Sequence, residues 1–365
     1  MQTVRENSTQ YMLRAIELAK KGLGKVSPNP AVGCVIVKKK RILAEGFHKK
    51  FGAAHAEIEA LKRVGPAAKG ACLYVTLEPC AHFGKTPPCV DSIIKSGIKE
   101  VVIAMGDPNP VNNGQGIKML RAAGVKIKQG VCRREAENLN TPFIKYMKKE
   151  MPYVTLKMAQ SLDGKIATRT GDSGWVSCNK SRLFVHQLRK EMDAIMIGVG
   201  TLLKDNPLLR THAPGRQPFR IIVDSKLKTP LNSRIFSRKS PEETIIATTK
   251  LASKNKVKKF LKKGVDILFI SGKNGAVSLK SLMKALAARG ILNIMIEGGG
   301  ELAASALKEG VVDKLLFFIA PKIIGGKDAK TPVEGAGIDK IIRAMKVKNI
   351  TIKKIGCDFL FEGRV

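Results

Sequence analysis

The sequence predicts an α/β protein made of two domains, each with its own sheet. Three observations carry this. The chain has 365 residues, more than one small core normally spans. Short strand-like apolar runs alternate with helical patterns through most of it. The alternation is broken by a basic helical stretch, FIKYMKKE at 143–150, which sets a boundary near residue 150 and gives domains 1–150 and 151–365.

In the first domain, residues 8–23 form an amphipathic helix, preceded by early charges and lacking the apolar run of a signal peptide. AVGCVIV (31–37) and residues 42–47 read as strands, with the basic turn KKKR between them. A helix follows over about 55–64, then strand CLYVTL (72–77), a helix over about 88–96 and strand EVVIAMG (100–106). A helix over about 114–123 and a short strand at 125–129 complete the unit. In the second domain the strands are AIMIGVG (194–200), RIIVDS (220–225), TIIATT (244–249), VDILFI (265–270), LNIMIEGGG (292–300) and KLLFFIAP (314–321), with helices such as 278–289 and 301–309 between them. This order puts loops and helix N-termini at one sheet edge, where ligands usually bind.

Composition narrows the class. Hydrophobic residues make up 44% and charged residues 26%, ordinary for a globular protein. No apolar run approaches the roughly 20 residues of a membrane span, so a cytoplasmic protein is expected. Seven scattered cysteines, an odd number, do not make a disulfide framework, and a close pair among them favours metal binding or catalysis. The net charge is +35, and it is spread over both domains: 26 basic against 12 acidic residues in 1–150, 39 against 18 in the rest. Lysine-rich solvated faces, anionic substrates and nucleic acid all fit that excess. Aromatics at 5% argue against a base-stacking surface.

HAE (55–57) is followed by EPCAHFGKTPPC (78–89). His55, Cys80 and Cys89 make three borderline or soft ligands with one position open, the composition of a catalytic zinc site rather than a structural one. Both cysteines fall near helix N-termini, which favour the thiolate. Glu57 is too close to His55 to share the metal comfortably and is better placed as a proton shuttle for a water that zinc activates. Zinc nucleobase deaminases use H-x-E with P-C-x-x-C and a catalytic glutamate. Here the second cysteine lies nine residues on instead of three.

SPNPAVGCVIV, GFHKKFGAAHAEIEAL and YVTLEPCAHFGKTPPC resemble the deaminase half of the bifunctional riboflavin-biosynthesis deaminase–reductases, whose own motif has this wide cysteine spacing. The resemblance implies a cytidine-deaminase-like three-layer sandwich. It implies hydrolysis of the C2 amino group of a pyrimidinone carrying a ribosylamino 5-phosphate, with Asn29, His48, His82 and Lys85 lining the substrate pocket. An amide suits hydrogen bonding to a base edge or ribose, and Lys85 suits a phosphate.

The second domain lacks the G-x-G-x-x-G dinucleotide fingerprint. EGGGEL (297–302) follows a strand and opens a helix, where glycines let backbone N–H groups approach a pyrophosphate. LKMAQSLDGKIA, SGWVS, GVGTLLKDNPLL, RIIVDS and IEGGGEL together resemble the reductase half of the same family, with its dihydrofolate-reductase-like α/β fold. By that resemblance NADPH opens and reduces the ribose to a ribityl chain. Ala159, Trp175, Thr201, Asp205, Ser225, Gly299, Gly300, Glu301 and Leu302 would touch the cofactor. Ser173, Arg189, Leu209 and Glu297 would touch the substrate, Arg189 at its phosphate, and Asp163 would order the loop at the cofactor's edge. The family usually carries an arginine three residues after the leucine of DDPxL. DNPLLRTH instead places His212 there and Arg210 two residues earlier, and Asn206 replaces the second aspartate. The implied partners are small phosphorylated pyrimidines, with no nucleic acid and no membrane. An exposed sheet edge in the second domain can pair, so a homo-oligomer, dimer or tetramer, is expected.

Overall fold

The computed structural model describes residues 2–83, 87–211, 216–236 and 243–365, with backbone only for 2–7. It divides into two compact units, Met1–Glu150 and Met151–Val365.

The first unit is a five-stranded sheet in the order β2-β1-β3-β4-β5. Strands β1 (Gly33–Lys38) and β2 (Arg41–Phe47) form an antiparallel hairpin. β1 pairs antiparallel with β3 (Cys72–Leu77), while β3, β4 (Glu100–Met105) and β5 (Lys126–Gln129) run parallel. Nearly every residue of β1, β3 and β4 is buried, so both faces of the central sheet are covered, as in a three-layer sandwich. Two glycines let helices come close. A Cβ on Gly33 would lie 1.9 Å from the Ala15 carbonyl oxygen of α1 (Gln2–Lys20), and one on Gly46 would lie 2.2 Å from the Ala56 carbonyl oxygen of α2 (Ala56–Val64). Helices α3 (Cys89–Lys95), α4 (Gln115–Ala122), α5 (Arg133–Leu139) and α6 (Thr141–Lys149) complete the unit. The sequence reading did not foresee α5, a short charged helix with one buried side chain, Ala136.

The second unit is a nine-stranded sheet in the order β10-β9-β8-β7-β11-β6-β12-β14-β13. β6 (Tyr153–Ser161), β7 (Ala194–Gly198), β8 (Phe219–Val223), β9 (Thr244–Thr248), β10 (Asp266–Phe269), β11 (Asn293–Glu297) and β12 (Lys314–Ala320) are parallel. Alternate residues feed two cores on opposite faces: Ala194 and Met196 join one, Ile195 and Ile197 the other. Helix α8 (Val199–Asp205) starts where the sequence reading still had strand, because VG after an apolar run continues its pattern. The reading also assigned no helix to α7 (Asn179–Glu191) or α9 (Lys254–Lys262), nor any strand beyond residue 321. The chain in fact ends in an antiparallel hairpin, β13 (Lys348–Ile355) and β14 (Asp358–Arg364), with α10 (Leu279–Ala288) and α11 (Gly300–Lys308) earlier in the unit. β13 is an edge strand, exposed at all but its last residue. No helix among the described residues is long and apolar enough to cross a membrane.

Candidate active sites

The ends of α2, β3 and α3 meet in the first unit. His55 is the N-cap of α2, in extended conformation, and its side chain makes no capping bond. Its Nδ1 lies 3.2 Å from Cys89 Sγ and 3.4 Å from Cys80 Sγ. Cys89 opens α3, and its backbone N–H donates to Cys80 Sγ at 3.3 Å. The hydrogen-bonded Cys89 thiol, then His55, hold the Cys80 thiol well below its usual range. The Cys89 thiol is driven up, first by Cys80 and then by burial. Glu57 is buried in the first turn of α2. Burial, reinforced by Cys80, pushes its carboxyl up to about 7.

His48 is also buried, and its ring meets that of His55 edge-on, with centroids 5.5 Å apart. Its Nδ1 lies 3.1 Å from the Ala54 carbonyl, which can only accept, so Nδ1 carries the proton. Nε2 is then the acceptor for the Asn29 amide at 3.2 Å. Burial lowers the His48 pKa. Asn29 and His48 are thus brought to the cluster. His82 lies close enough to Asp107 to act on its charge, and its Nδ1 is buried without a hydrogen-bond partner among the described residues. Lys85 lies outside the described residues.

Three residues that sequence reasoning missed hold this site by gripping backbone. The buried Glu78 carboxylate accepts the N–H groups of Asp107, Gly114 and Ile117, tying the end of β3 to the start of α4. Asn112 accepts the Ala81 N–H at 2.8 Å and donates to the Pro79 carbonyl at 3.4 Å, clamping both sides of Cys80. Asn140, between α5 and α6, bonds both the N–H and the carbonyl of Ala31, fixing the loop that carries Asn29. Glu78 in EPC was the available signal; nothing in the sequence marked the two asparagines.

In the second unit a cavity of about 590 Å³ opens beyond the ends of β6, β7 and β11. Ala159, Ser173, Trp175, Arg189, Thr201, Asp205 and Gly299 to Leu302 all line it. A Cβ on Gly299 would lie 2.9 Å from Thr201 Oγ1, and one on Gly300 would lie 2.5 Å from the Thr331 carbonyl oxygen. Gly298 and Gly299 both have positive φ, so the turn into α11 is a bare backbone cradle. Ser173 Oγ donates to Asp205 Oδ1 at 3.2 Å. Trp175 is 69% exposed, which rules out a core role, and the Arg182 guanidinium stacks 3.9 Å over its ring. Asp163 accepts from Ser161 Oγ and from the N–H groups of Ile324 and Gly325, and the Ser161 bond leads in holding its pKa at about 2.

Other expected residues sit differently. Glu297 does not line the cavity; it pairs with Arg189 through Nε–Oε1 at 2.6 Å and Nη2–Oε2 at 2.8 Å. Leu209 is buried in the core with positive φ. Ser225 Oγ accepts the Val277 N–H, so both stand apart from the cavity. Lys157, not foreseen, does line it, and lies directly across from Glu297 in the β6–β11 register.

Comparison with known proteins shows the family. Residues 5–105 match the model for the cytidine and deoxycytidylate deaminase zinc-binding region, and residues 152–361 the model for the RibD C-terminal domain. The chain is 45% identical over 359 residues to the riboflavin biosynthesis protein RibD of Aquifex aeolicus, covering 98% of each chain. It is 45% identical over 353 residues to RibD of Actinobacillus pleuropneumoniae, covering 96% of this chain and 94% of that protein. The chain belongs to the RibD family. Among solved structures, RibD of Acinetobacter baumannii matches with a TM-score of 0.89 at 34% identity over 99% of both chains. A diaminohydroxyphosphoribosylaminopyrimidine deaminase/5-amino-6-(5-phosphoribosylamino)uracil reductase from Thermotoga maritima matches with 0.87 at 38%, also over 99% of both. The chain is accordingly a bifunctional deaminase and reductase of riboflavin biosynthesis, with zinc as cofactor of the first half and NADPH of the second.

Both cofactors fit the residues present. Ligand atoms of His55, Cys80 and Cys89 lie within 4.8 Å of one another. Tetrahedral zinc, with Zn–S near 2.3 Å and Zn–N near 2.05 Å, sets N···S distances of about 3.6 Å, close to the 3.2 and 3.4 Å found. For NADPH, the glycine cradle at the N-terminus of α11 offers backbone N–H groups that helical bonding does not use.

Proposed function

We propose that the first unit removes the 2-amino group of 2,5-diamino-6-ribosylamino-4(3H)-pyrimidinone 5′-phosphate. The second unit then reduces the ribosyl chain of the resulting 5-amino-6-(5-phosphoribosylamino)uracil. The observation that carries this reading is the convergence of three zinc-type donors on one point with a buried carboxyl, Glu57, beside them.

His55, Cys80 and Cys89 would hold the zinc, which supplies the Lewis acidity that makes water a nucleophile near neutral pH. Glu57, buried beside these donors, would serve as the group that takes up a proton and returns one to the departing amine. Asn29, oriented by the fixed tautomer of His48, would meet the base or ribose, His82 would line the same pocket, and Lys85 suits the phosphate by its charge.

In the second unit, Gly299 to Leu302, Thr201, Asp205, Ala159 and Trp175 would hold NADPH, which supplies the hydride. Leu209 would play a supporting part through the core and Ser225 through the hydrogen bond it accepts from the Val277 N–H. Arg189, Lys157 and Ser173 face the substrate, with Glu297 setting the position of Arg189. The partners are small phosphorylated pyrimidines rather than nucleic acid or membrane. A cytoplasmic location suits the free thiols of the structure, and the exposed edge strand β13 suits pairing into a dimer or tetramer.

The test is to incubate purified protein with the diaminopyrimidinone ribosyl phosphate, with and without NADPH, and follow products by mass. Deaminated product alone is expected without NADPH, and the ribityl product with it. No product in either condition would overturn the reading.

A further inference from the structure

The second unit has a thiol pair of its own, at a join between distant parts of its chain. Cys178 is the N-cap of α7, and its N–H donates to the buried Asp358 carboxylate at 2.8 Å. Cys357 sits in the two-residue turn between β13 and β14, nearly half the chain away in sequence, with its Sγ 3.5 Å from Asp358 Oδ1. The two sulfurs and the Asp358 carboxylate lie within 4.8 Å of one another. The turn approaches closely because its other residue is glycine: a Cβ on Gly356 would lie 2.9 Å from Cys178 Sγ.

We propose that Cys178 and Cys357 form a reversible dithiol–disulfide pair, an oxidation site that tethers the segment leading into α7 to the C-terminal hairpin. Geometry favours this over a metal site. The Asp358 oxygens are already engaged by the Cys178 N–H and the Cys357 thiol. The surroundings suit exchange chemistry. Burial raises the Cys178 thiol, but hydrogen bonds from the Ser181 hydroxyl and from the Ser181 and Cys357 backbone outweigh it, and the pKa falls to about 7. Cys357 is exposed, within reach of a small oxidant.

The oxidant is a low-molecular-weight disulfide. The Cys178 thiolate attacks one of its sulfurs, that S–S bond breaks, and one thiolate leaves. Cys357 loses its proton and attacks the Cys178 sulfur of the mixed disulfide, expelling the second thiolate. The two protons lost by the protein thiols end on the two expelled thiolates, so one disulfide is reduced as one forms. The consequence falls on the reductase. Ser173 and Trp175 line the cavity just ahead of Cys178, and α7 carries Arg189. Drawing Cys178 Sγ from the Ser181 hydroxyl and the Ile355 carbonyl towards Cys357 shifts that segment.

The experiment equilibrates zinc-loaded, full-length protein with graded ratios of reduced to oxidised glutathione, then alkylates, digests and maps peptides by mass. We expect the Cys178 and Cys357 peptides joined at the oxidising end and separately alkylated at the reducing end. NADPH oxidation with deaminated substrate should fall severalfold on oxidation and return with dithiothreitol, while deamination holds. Cys357→Ser and Cys178→Ser, the latter supplying a hydroxyl that suits an N-cap, should both be insensitive to the glutathione ratio. Both cysteines staying alkylatable throughout would overturn the pairing, as would glutathione retained on Cys357 alone. So would a second metal ion per chain that Cys357→Ser abolishes. A disulfide that forms without changing NADPH oxidation would overturn the link to the reductase.

Discussion

Arg189 and Glu297, 108 residues apart, meet in a two-point ion pair beside the reductase cavity, and Lys157 faces the same carboxylate across the sheet. Burial alone would raise the carboxyl, but Arg189, aided by Lys157, outweighs it and holds Glu297 below its usual range. Truncating one partner therefore strands a buried charge. Arg189→Ala should destabilise the second unit by roughly 3–5 kcal/mol and impair reduction through more than lost phosphate capture, leaving deamination normal. Urea unfolding of Arg189→Ala, Glu297→Gln and the double variant checks this. The double variant should be more stable than the sum of the singles implies, and strict additivity would show that the pair is not coupled.

Alanine at His55, Cys80 or Cys89 should remove zinc and destabilise the first unit, because metal binding contributes folding energy. Metal analysis together with thermal unfolding reads both effects. Stoichiometric zinc retained by Cys89→Ala would count against the ligand assignment.

Glu57→Gln keeps the side chain's shape and removes its proton traffic. It should retain zinc and lose about 10²–10⁴-fold in deamination rate. Given substrate that is already deaminated, the same variant should oxidise NADPH at the normal rate. Loss of that second activity in a folded, zinc-loaded variant would mean that the two sites are shared.

The Asp163 tie gives a pH dependence of definite sign. Its folded pKa, about 2, lies below the unfolded value of about 4. Its contribution is therefore present above the unfolded pKa and lost as the pH falls through the folded one. Protection of the Gly325 amide from exchange should hold from neutral pH to about pH 4 and fade towards pH 2. In Asp163→Ala, Gly325 should exchange faster at neutral pH too. Equal protection in both proteins would remove Asp163 from the loop's support.

The deaminase centre was legible in the sequence because its members fall at element ends, where local pattern speaks. His55 precedes an apolar helical period, Cys80 follows a six-residue strand, and Cys89 follows Pro-Pro. What escaped were groups that act by gripping backbone or partners far along the chain. Asn112 and Asn140 look like any turn asparagine until the carbonyls they bind are seen. The family resemblance alone marks Glu297 as a substrate contact, and its ion pair with Arg189, on another element, is visible only in the fold. Helix α9, KNKVKKFLK, carries one fully buried side chain, Phe260, too little apolar periodicity to stand out from a basic loop. Strand β13 is exposed along almost its whole length, so no burial pattern marked it.

Each unit has its own sheet and buried clusters, so the molecule is expected to have no single melting point. A calorimetric trace should resolve two transitions, and a chelator would move only the one that depends on zinc. Heat or mutation could then silence one catalytic step while the other persists. Molecules damaged in the second unit alone would stall part-way along the route, releasing the half-processed intermediate instead of failing outright.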